Sequence, residues 1–248
     1  MRDFIIKINM KNFKGFKFSW RMFVSKKFVV AVICVVVLAV GAAVGISAIR
    51  KQSFLQFALD NLAEARFYMK QAQNDSVRVQ FTSGVREEPY QMDGVANKTT
   101  AFAILNVDPR DNSLRDRHEV RGSLKIGGEV IEVTLDRNPY DRNFAADLGR
   151  LVDVGEDISV TLFLTEHDHP TFALGDAMPE GAVGWEQALA VATDHHYDDL
   201  ACCKKFEVYV KIINDLTKES GAFWYVQFIH QDSKTNFCVI APDGSVVG

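Results

Sequence analysis

The longest apolar run of the chain lies at residues 28–49 and carries no charged residue. A helix rises about 1.5 Å per residue, so this run would span about 33 Å, enough to cross the hydrocarbon core of a bilayer. Lipid offers no partners to backbone polar groups, and a helix satisfies those groups internally. The pattern therefore predicts a single transmembrane helix, which divides the chain into a short tail and a large body.

A helical pattern continues beyond this run. Six apolar residues recur at steps of three or four, which places them on one face of a predicted juxtamembrane helix over residues 53–72. They are Phe54, Ala58, Leu62, Ala65, Met69 and Ala72. We expect this face to cover the protein's own sheet, and pairing with a partner helix is the alternative.

The body then alternates between apolar and polar residues, which is typical of half-buried strands. Strands are predicted at Val77–Phe81, Thr99–Val107, Ser123–Ile126, Glu129–Leu135 and Ile158–Leu164. The pair Gly127-Gly128 predicts a two-residue hairpin turn, because glycine tolerates positive φ angles. Asn143–Leu151 is predicted as a short helix.

A loop rich in proline and glycine, at residues 166–184, is the best candidate for a domain boundary. A helix is predicted after it, from Trp185 to about Asp199. Antiparallel strands follow at Phe206–Ile212, Phe223–His230 and Asn236–Ala241, with a turn at Pro242–Gly244.

The predicted fold class is a single transmembrane helix plus an α+β extracytoplasmic region, with a helix packed on a mostly antiparallel sheet in one or two modules. The predicted segments are a basic and aromatic tail (1–27), the transmembrane helix (28–49), the juxtamembrane helix (50–73), a first module (74–165), the loop (166–184) and a second module (185–248).

Residues 184–248 contain the segments WEQALAVA, FWYVQFI and NFCVIAPDGSVVG. In these segments the last quarter of the chain resembles PepSY-like and other cystatin-like extracytoplasmic modules. The resemblance implies a helix packed across an antiparallel sheet. It also implies a binding or regulatory module, sometimes linked to peptidases, and it supplies no catalytic residues.

The distribution of charge predicts which side of the membrane each part of the chain occupies. Residues 1–27 hold eight lysines and arginines against one acid, Asp3, although the whole chain has a net charge of −4. Positive flanks stay in the cytoplasm, so the N-terminus is predicted to be cytoplasmic and the acidic body extracytoplasmic.

The predicted localisation is the cell membrane, with an uncleaved signal-anchor. A cleaved signal peptide, with its cleavage site near Ser47-Ala48, is the alternative. The acidic body argues against nucleic acid as a partner.

Four histidines lie in two acid-rich clusters and are the candidate metal ligands. They are His167, His169, His195 and His196. Imidazole and carboxylate groups bind zinc and similar ions, although this spacing matches no standard zinc motif. If a helix continues through them, adjacent residues point about 100° apart, so only one of His195 and His196 would join a given site.

The remaining candidates concern cysteines and aromatic residues. We predict at most one disulfide, between Cys238 and either Cys202 or Cys203. Lysines follow the Cys202-Cys203 pair, but we interpret these cysteines as buried or bridged rather than catalytic. Trp224 and Tyr225 alternate faces in a predicted strand, so an exposed one would mark an interface.

The chain contains no G-x-S-x-G sequence, phosphate-binding loop or dinucleotide fingerprint. The predicted function is therefore a membrane-anchored protein whose outer domain binds other proteins or envelope components in an assembly or regulatory role. It has no cofactor, and its partners are the membrane itself and proteins at the membrane. The alternative is an extracytoplasmic metal-binding protein or metal-dependent enzyme that uses zinc or a similar ion at the four histidines.

Overall fold

The computed structural model describes residues 49–112, 114, 116–139, 141–201, 203, 205–214, 221–232 and 234–247. The predicted tail and residues 28–48 of the predicted transmembrane helix lie outside these described residues. Within them, no helix combines the length and the apolar character needed to cross a bilayer. The prediction of a single-pass, signal-anchored protein localised to the cell membrane is corrected accordingly, because the structure gives it no support.

The predicted fold class is wrong as well, because the described chain is mostly β-sheet. Its strands are β1 (Leu62–Gln73), β2 (Val77–Glu87), β3 (Thr99–Pro109), β4 (Glu119–Ile126), β5 (Glu129–Arg137), β6 (Phe144–Asp147), β7 (Ile158–Phe163), β8 (Thr171–Ala173), β9 (Gly175–Asp176), β10 (Phe206–Asn214), β11 (Ala222–His230) and β12 (Thr235–Ile240). In the described residues they form one 12-stranded sheet in the order β12-β11-β10-β1-β2-β3-β6-β5-β4-β7-β8, and β9 pairs with β1. The described helices are α1 (residues 49–60), α2 (Trp185–His195) and α3 (Tyr197–Leu200).

The helix predicted over residues 53–72 ends at residue 60, and the rest of that segment is strand β1. The side chain of Asn61 donates to the carbonyl of Phe57 and so satisfies one of the last carbonyls of α1. Strand β1 pairs in parallel with β10 on one edge and antiparallel with β2 on the other. Helix-forming residues such as Ala65 and Met69 are strand residues here because tertiary packing overrides a weak local propensity.

The helix predicted at Asn143–Leu151 is also wrong, because this segment contains strand β6. Strand β6 pairs with the end of β3, and its Phe144 is buried in the sheet's core.

The alternating strands were predicted more accurately. The β4–β5 hairpin turns at Gly127, whose φ is 54°, as its sequence predicts. The C-terminal helix and three strands are confirmed as α2 and β10–β12.

Residues 51–248 form one compact unit with two main cores. The first core fills the space enclosed by strands β1–β8 and includes Phe81, Leu105, Leu135 and Leu162. The second core lies between the three helices and strands β10–β12. Strand β1 contributes to both cores, through Tyr68 in the first and Met69 in the second. The predicted boundary loop carries strands β8 and β9. Its Phe172 is buried in the first core, its Met178 packs against the second, and β9 pairs with β1.

Candidate functional site

The most concentrated group of reactive side chains lies where the second core meets solvent, around the turn between β11 and β12. Alternate residues of these strands face the helices, and Phe228 of β11 lies opposite Asn236 of β12. His230, two residues beyond Phe228, therefore lies on the same face as Asn236. Helix α3 ends at Leu200, and a turn in which Cys203 N–H donates to the Leu200 carbonyl brings the cysteine to this place.

Cys203, His230 and Asn236 form a chain of two short polar contacts. The Sγ atom of Cys203 lies 2.9 Å from Nδ1 of His230. On the other side of the ring, Nε2 of His230 lies 2.8 Å from Oδ1 of Asn236. A nucleophile within hydrogen-bond reach of a base, with that base oriented by a third group, is the arrangement of enzymes that act through a side-chain nucleophile.

The hydrogen-bond pattern fixes the tautomer of His230. Oδ1 of Asn236 can only accept, so Nε2 of His230 carries the proton. Nδ1 then has a lone pair facing the sulfur of Cys203 and can accept the one thiol hydrogen, for which the carbonyl oxygen of Asp199 is the other acceptor. His230 in this state can take the thiol proton, and the imidazolium that forms would stabilise the thiolate.

The base is buried, while the nucleophile reaches the surface. His230 is only 7% exposed, whereas Cys203 and Asn236 are half-buried. The imidazole packs against the ring of Phe206, with the ring centroids 6.3 Å apart. The sulfur also contacts the carbonyl oxygen of Asp199 at 3.6 Å. A partly desolvated base beside an accessible sulfur suits proton transfer to and from a bound substrate.

The loop at residues 88–98 supports the end of β11 from the opposite face of the sheet. Gly94 has a φ of 81°, and a Cβ there would lie 2.4 Å from the backbone nitrogen of Gln231. The loop is held by Glu207, whose Oε1 accepts hydrogen bonds from the backbone N–H groups of Asp93 and Val95. Burial raises the pKa of Glu207. This loop therefore fixes the backbone from which His230 projects.

The four histidines predicted as metal ligands separate into two places. His167 and His169 lie on the exposed β7–β8 connection, where Nε2 of His169 is 2.9 Å from the carbonyl oxygen of Thr165. His195 and His196 lie at the end of α2, with ring centroids 4.8 Å apart. Within the described residues, the structure brings these last two together with Cys238 rather than with the other histidines.

The two neighbouring rings converge because the helix ends between them. His195 is the last residue of α2, and His196 leaves the helical conformation with φ −99° and ψ 13°. The expected angle of about 100° between successive helical side chains therefore does not apply to this pair.

The cysteines do not form the predicted pair between Cys203 and Cys238. Cys238 is a free, fully buried thiol, and burial raises its pKa. Cys202 lies outside the described residues. Cys203 instead contacts His230, which lies 27 residues later in the chain, and no local pattern predicts that contact.

The aromatic candidates of β11 lie on opposite faces of the strand. Trp224 is 2% exposed in the second core, and its Nε1 donates to the carbonyl of Val183. Tyr225 is half-buried on the outer face and stacks on Phe237 of β12, with ring centroids 5.8 Å apart. Phe237 is 52% exposed. The outer face of β10–β12 therefore presents aromatic surface to solvent.

Comparison with known protein families, curated proteins and solved structures finds no match to this chain. The resemblance to PepSY-like and cystatin-like modules therefore stays a prediction. Function has to be argued from the geometry of the site.

Proposed function

We propose that this protein catalyses acyl transfer or hydrolysis through a thiol nucleophile. Cys203 is the nucleophile, His230 the general base and acid, and Asn236 the residue that orients the imidazole. The observation that carries the proposal is the pair of contacts at 2.9 Å and 2.8 Å on opposite nitrogens of one ring. The substrates would be activated acyl compounds such as esters, thioesters or amides.

The chemistry follows from the tautomer. The thiol proton moves to Nδ1 of His230, and the sulfur attacks the acyl carbon to form a new carbon–sulfur bond. The bond from the acyl carbon to the leaving group breaks, and the leaving group departs with the proton from His230. Water or another nucleophile then gives a proton to His230 and attacks the thioester, which restores the thiol of Cys203.

Asn236 contributes by holding the ring rather than by taking a proton. Its Oδ1 keeps the proton on Nε2, so Nδ1 stays available to the sulfur. Loss of such an orienting group leaves the nucleophile and base in place but allows the wrong tautomer and ring orientation. Asn236 is therefore a positioning residue in this mechanism.

The test is to trap the acyl-enzyme. The full chain is incubated with a panel of nitrophenyl esters of different acyl size, and intact mass and peptide mapping follow the reaction. We expect one acyl group on Cys203 in the wild type and none in Cys203→Ala. His167→Ala is the matched control, because this exposed histidine lies elsewhere, and it should acylate normally. Absence of acylation on Cys203 with every ester, in folded protein, would contradict the proposal.

A second function, protein binding, is supported by the outer face of β10–β12. Apolar side chains that are exposed or half-buried lie side by side there, on the face opposite α2. They are Ile213, Phe223, Tyr225, Phe237 and Val239. A protein partner with a complementary apolar surface would bury them.

Affinity purification from native cells, read by mass spectrometry, tests this second function. Phe237→Lys should lose partners that the wild type retains, because it replaces the most exposed aromatic ring of this face with a charge. Asp243→Lys is the control, since this exposed residue lies in the turn after β12. Identical partner lists for both variants and the wild type would contradict binding through this face.

A further inference from the structure

We infer that His195, His196 and Cys238 form a binding site for a zinc-class divalent ion, with a fourth coordination position open to solvent. One ligand atom from each residue lies within 4.8 Å of the other two. Imidazole nitrogen and thiolate sulfur are the ligands that zinc prefers, and three protein ligands plus water are typical of its open sites. Its three ligands are different residues from Cys203, His230 and Asn236, and the inference goes beyond the proposed acyl chemistry.

His196 already has the hydrogen bond that a metal ligand needs on its second nitrogen. Its Nε2 lies 2.9 Å from the carbonyl oxygen of Phe237. A carbonyl only accepts, so Nε2 carries the proton, and the ion would bind at Nδ1, which lies 3.8 Å from Oδ2 of Asp199. Metal-binding histidines usually donate their other N–H to a carbonyl or carboxylate in this way, which fixes the tautomer and the ring orientation.

The buried thiol of Cys238 makes the site selective for a divalent ion that binds thiolate. Cys238 is fully buried on the helix-facing side of β12, where burial raises its pKa. An uncompensated thiolate is costly in such surroundings, whereas a bound divalent cation supplies the opposing charge.

His195 can complete the coordination with little rearrangement. Around a tetrahedral zinc ion the ligand atoms lie about 3.5 Å apart, so the group must contract from its present spacing. His195 is exposed at the end of α2, so its side chain can rotate toward the other two ligands without disturbing the core. The exposure of His195 also leaves room for water at the fourth position.

Cobalt(II) titration of the metal-free full chain tests the inference. Cobalt bound to a thiolate gives an intense near-ultraviolet charge-transfer band, and zinc should displace it. We expect one equivalent to produce the band in the wild type and in Cys203→Ala. Cys238→Ala should abolish the band, and His195→Ala should weaken cobalt binding at least about tenfold.

His195→Ala keeps the test decisive even if the buried Cys238→Ala variant fails to fold, because His195 is exposed. His167→Ala and His169→Ala are the matched controls, and both should bind cobalt as the wild type does. The inference is overturned if the wild type gives no thiolate band, if the band is lost in Cys203→Ala, or if His195→Ala binds cobalt with unchanged affinity.

Discussion

Tyr209 connects two buried carboxyl groups beneath the 88–98 loop. Its hydroxyl lies 2.8 Å from Oε2 of Glu207 and 3.1 Å from Oε1 of Glu87, and all three residues are at most 1% exposed. Burial and the two neighbouring carboxyl groups raise the pKa of Tyr209, so the hydroxyl keeps its proton. Burial also raises the pKa of the Glu207 carboxyl, so Glu207 is the group that can hold a second proton.

Tyr209→Phe should therefore destabilise the protein. The substitution removes the donor that Tyr209 gives to the buried Oε2 of Glu207, which costs about 1–3 kcal/mol in the free energy of unfolding. Urea denaturation measures the change. Tyr225→Phe is the control, because Tyr225 is half-buried on the outer face, and it should change the free energy of unfolding by less than about 0.5 kcal/mol. Equal effects of the two variants would contradict the role given to the hydroxyl.

Glu207 should make stability depend on pH. Burial raises its folded-state pKa above the ordinary value of 4.5. Its stabilising contribution is therefore fully present below the unfolded pKa and is lost as pH rises through the raised folded pKa. Glu207→Gln mimics the protonated form at every pH, so its free energy of unfolding should vary less over this window.

Urea denaturation from about pH 4 to about pH 8 checks this prediction. Glu186→Gln removes a carboxylate from the exposed start of α2 and serves as the control. It should keep the wild-type pH profile. A Glu207→Gln profile as steep as that of the wild type would show that Glu207 does not hold the second proton.

The 88–98 loop is the element on which the position of His230 depends. A Cβ at Gly94 would lie 2.5 Å from the carbonyl carbon of His230, and the positive φ of Gly94 is itself unfavourable for other residues. Gly94→Ala should cost about 1–3 kcal/mol of stability. It should also slow alkylation of Cys203, because the base moves.

Gly155→Ala is the matched control for this element. A Cβ at Gly155 meets no atom within 4 Å, and stability and thiol reactivity should stay at wild-type values. Thermal unfolding and the iodoacetamide rate measure the two effects. A stable Gly94→Ala variant with wild-type reactivity would contradict the support that the loop gives to His230.

Some elements could be predicted from the sequence because the local pattern of apolar residues favours the structure that these residues adopt in the fold. Strand β10 alternates Phe206, Val208 and Val210 toward the helices, and all three are buried as that pattern predicts. Strand β1 could not be predicted, because Leu62–Gln73 is rich in helix-forming residues at helical spacing. Its strand state depends on hydrogen bonds to β2, which follows after a short turn, and to β10, which is distant in sequence.

At the scale of the whole molecule, β1 joins the two cores. Strand β1 buries Tyr68 in the first core and Met69 in the second, so loss of either core exposes one face of this strand. We expect residues 51–248 to unfold in a single transition. Phe228→Ala in the second core should lower the midpoint of that transition and cost about 3–5 kcal/mol.

Far-ultraviolet circular dichroism reports on the whole sheet. In a Trp20→Phe background, tryptophan fluorescence reports on the second core through Trp185 and Trp224. The two midpoints should coincide in the wild type and in Phe228→Ala. Phe237→Ala, which truncates an exposed ring, is the control and should cost less than about 1 kcal/mol. Separate midpoints for the two signals would show that the cores unfold independently.

The candidate site is also a property of the whole fold, which limits what the sequence could predict. The predicted strands place His230 and Asn236 on either side of a turn, so the sequence pattern is sufficient to predict their contact. The approach of Cys203 was not, because it depends on where α2 ends and on the turn after α3. The lysines beside the cysteine pair do not indicate which histidine contacts Cys203. His230 is distant from Cys203 in sequence and close to it in the fold.

The pH dependence of Cys203 alkylation tests the central claim most directly. The full chain carrying Cys202→Ser is treated with iodoacetamide over a range of pH, and peptide mapping gives the rate at each cysteine. Cys203 should react well below the ordinary thiol pKa of about 8.5, because His230 takes its proton. Buried Cys238 should remain unmodified and serves as the internal control.

In the same background, His230→Gln should slow alkylation of Cys203 at neutral pH about tenfold or more, and Asn236→Ala should slow it less. Circular dichroism confirms that each variant is folded. The account predicts a reactive Cys203 at neutral pH that depends on His230. A Cys203 that titrates at the ordinary thiol pKa, at a rate unchanged by His230→Gln, would contradict it.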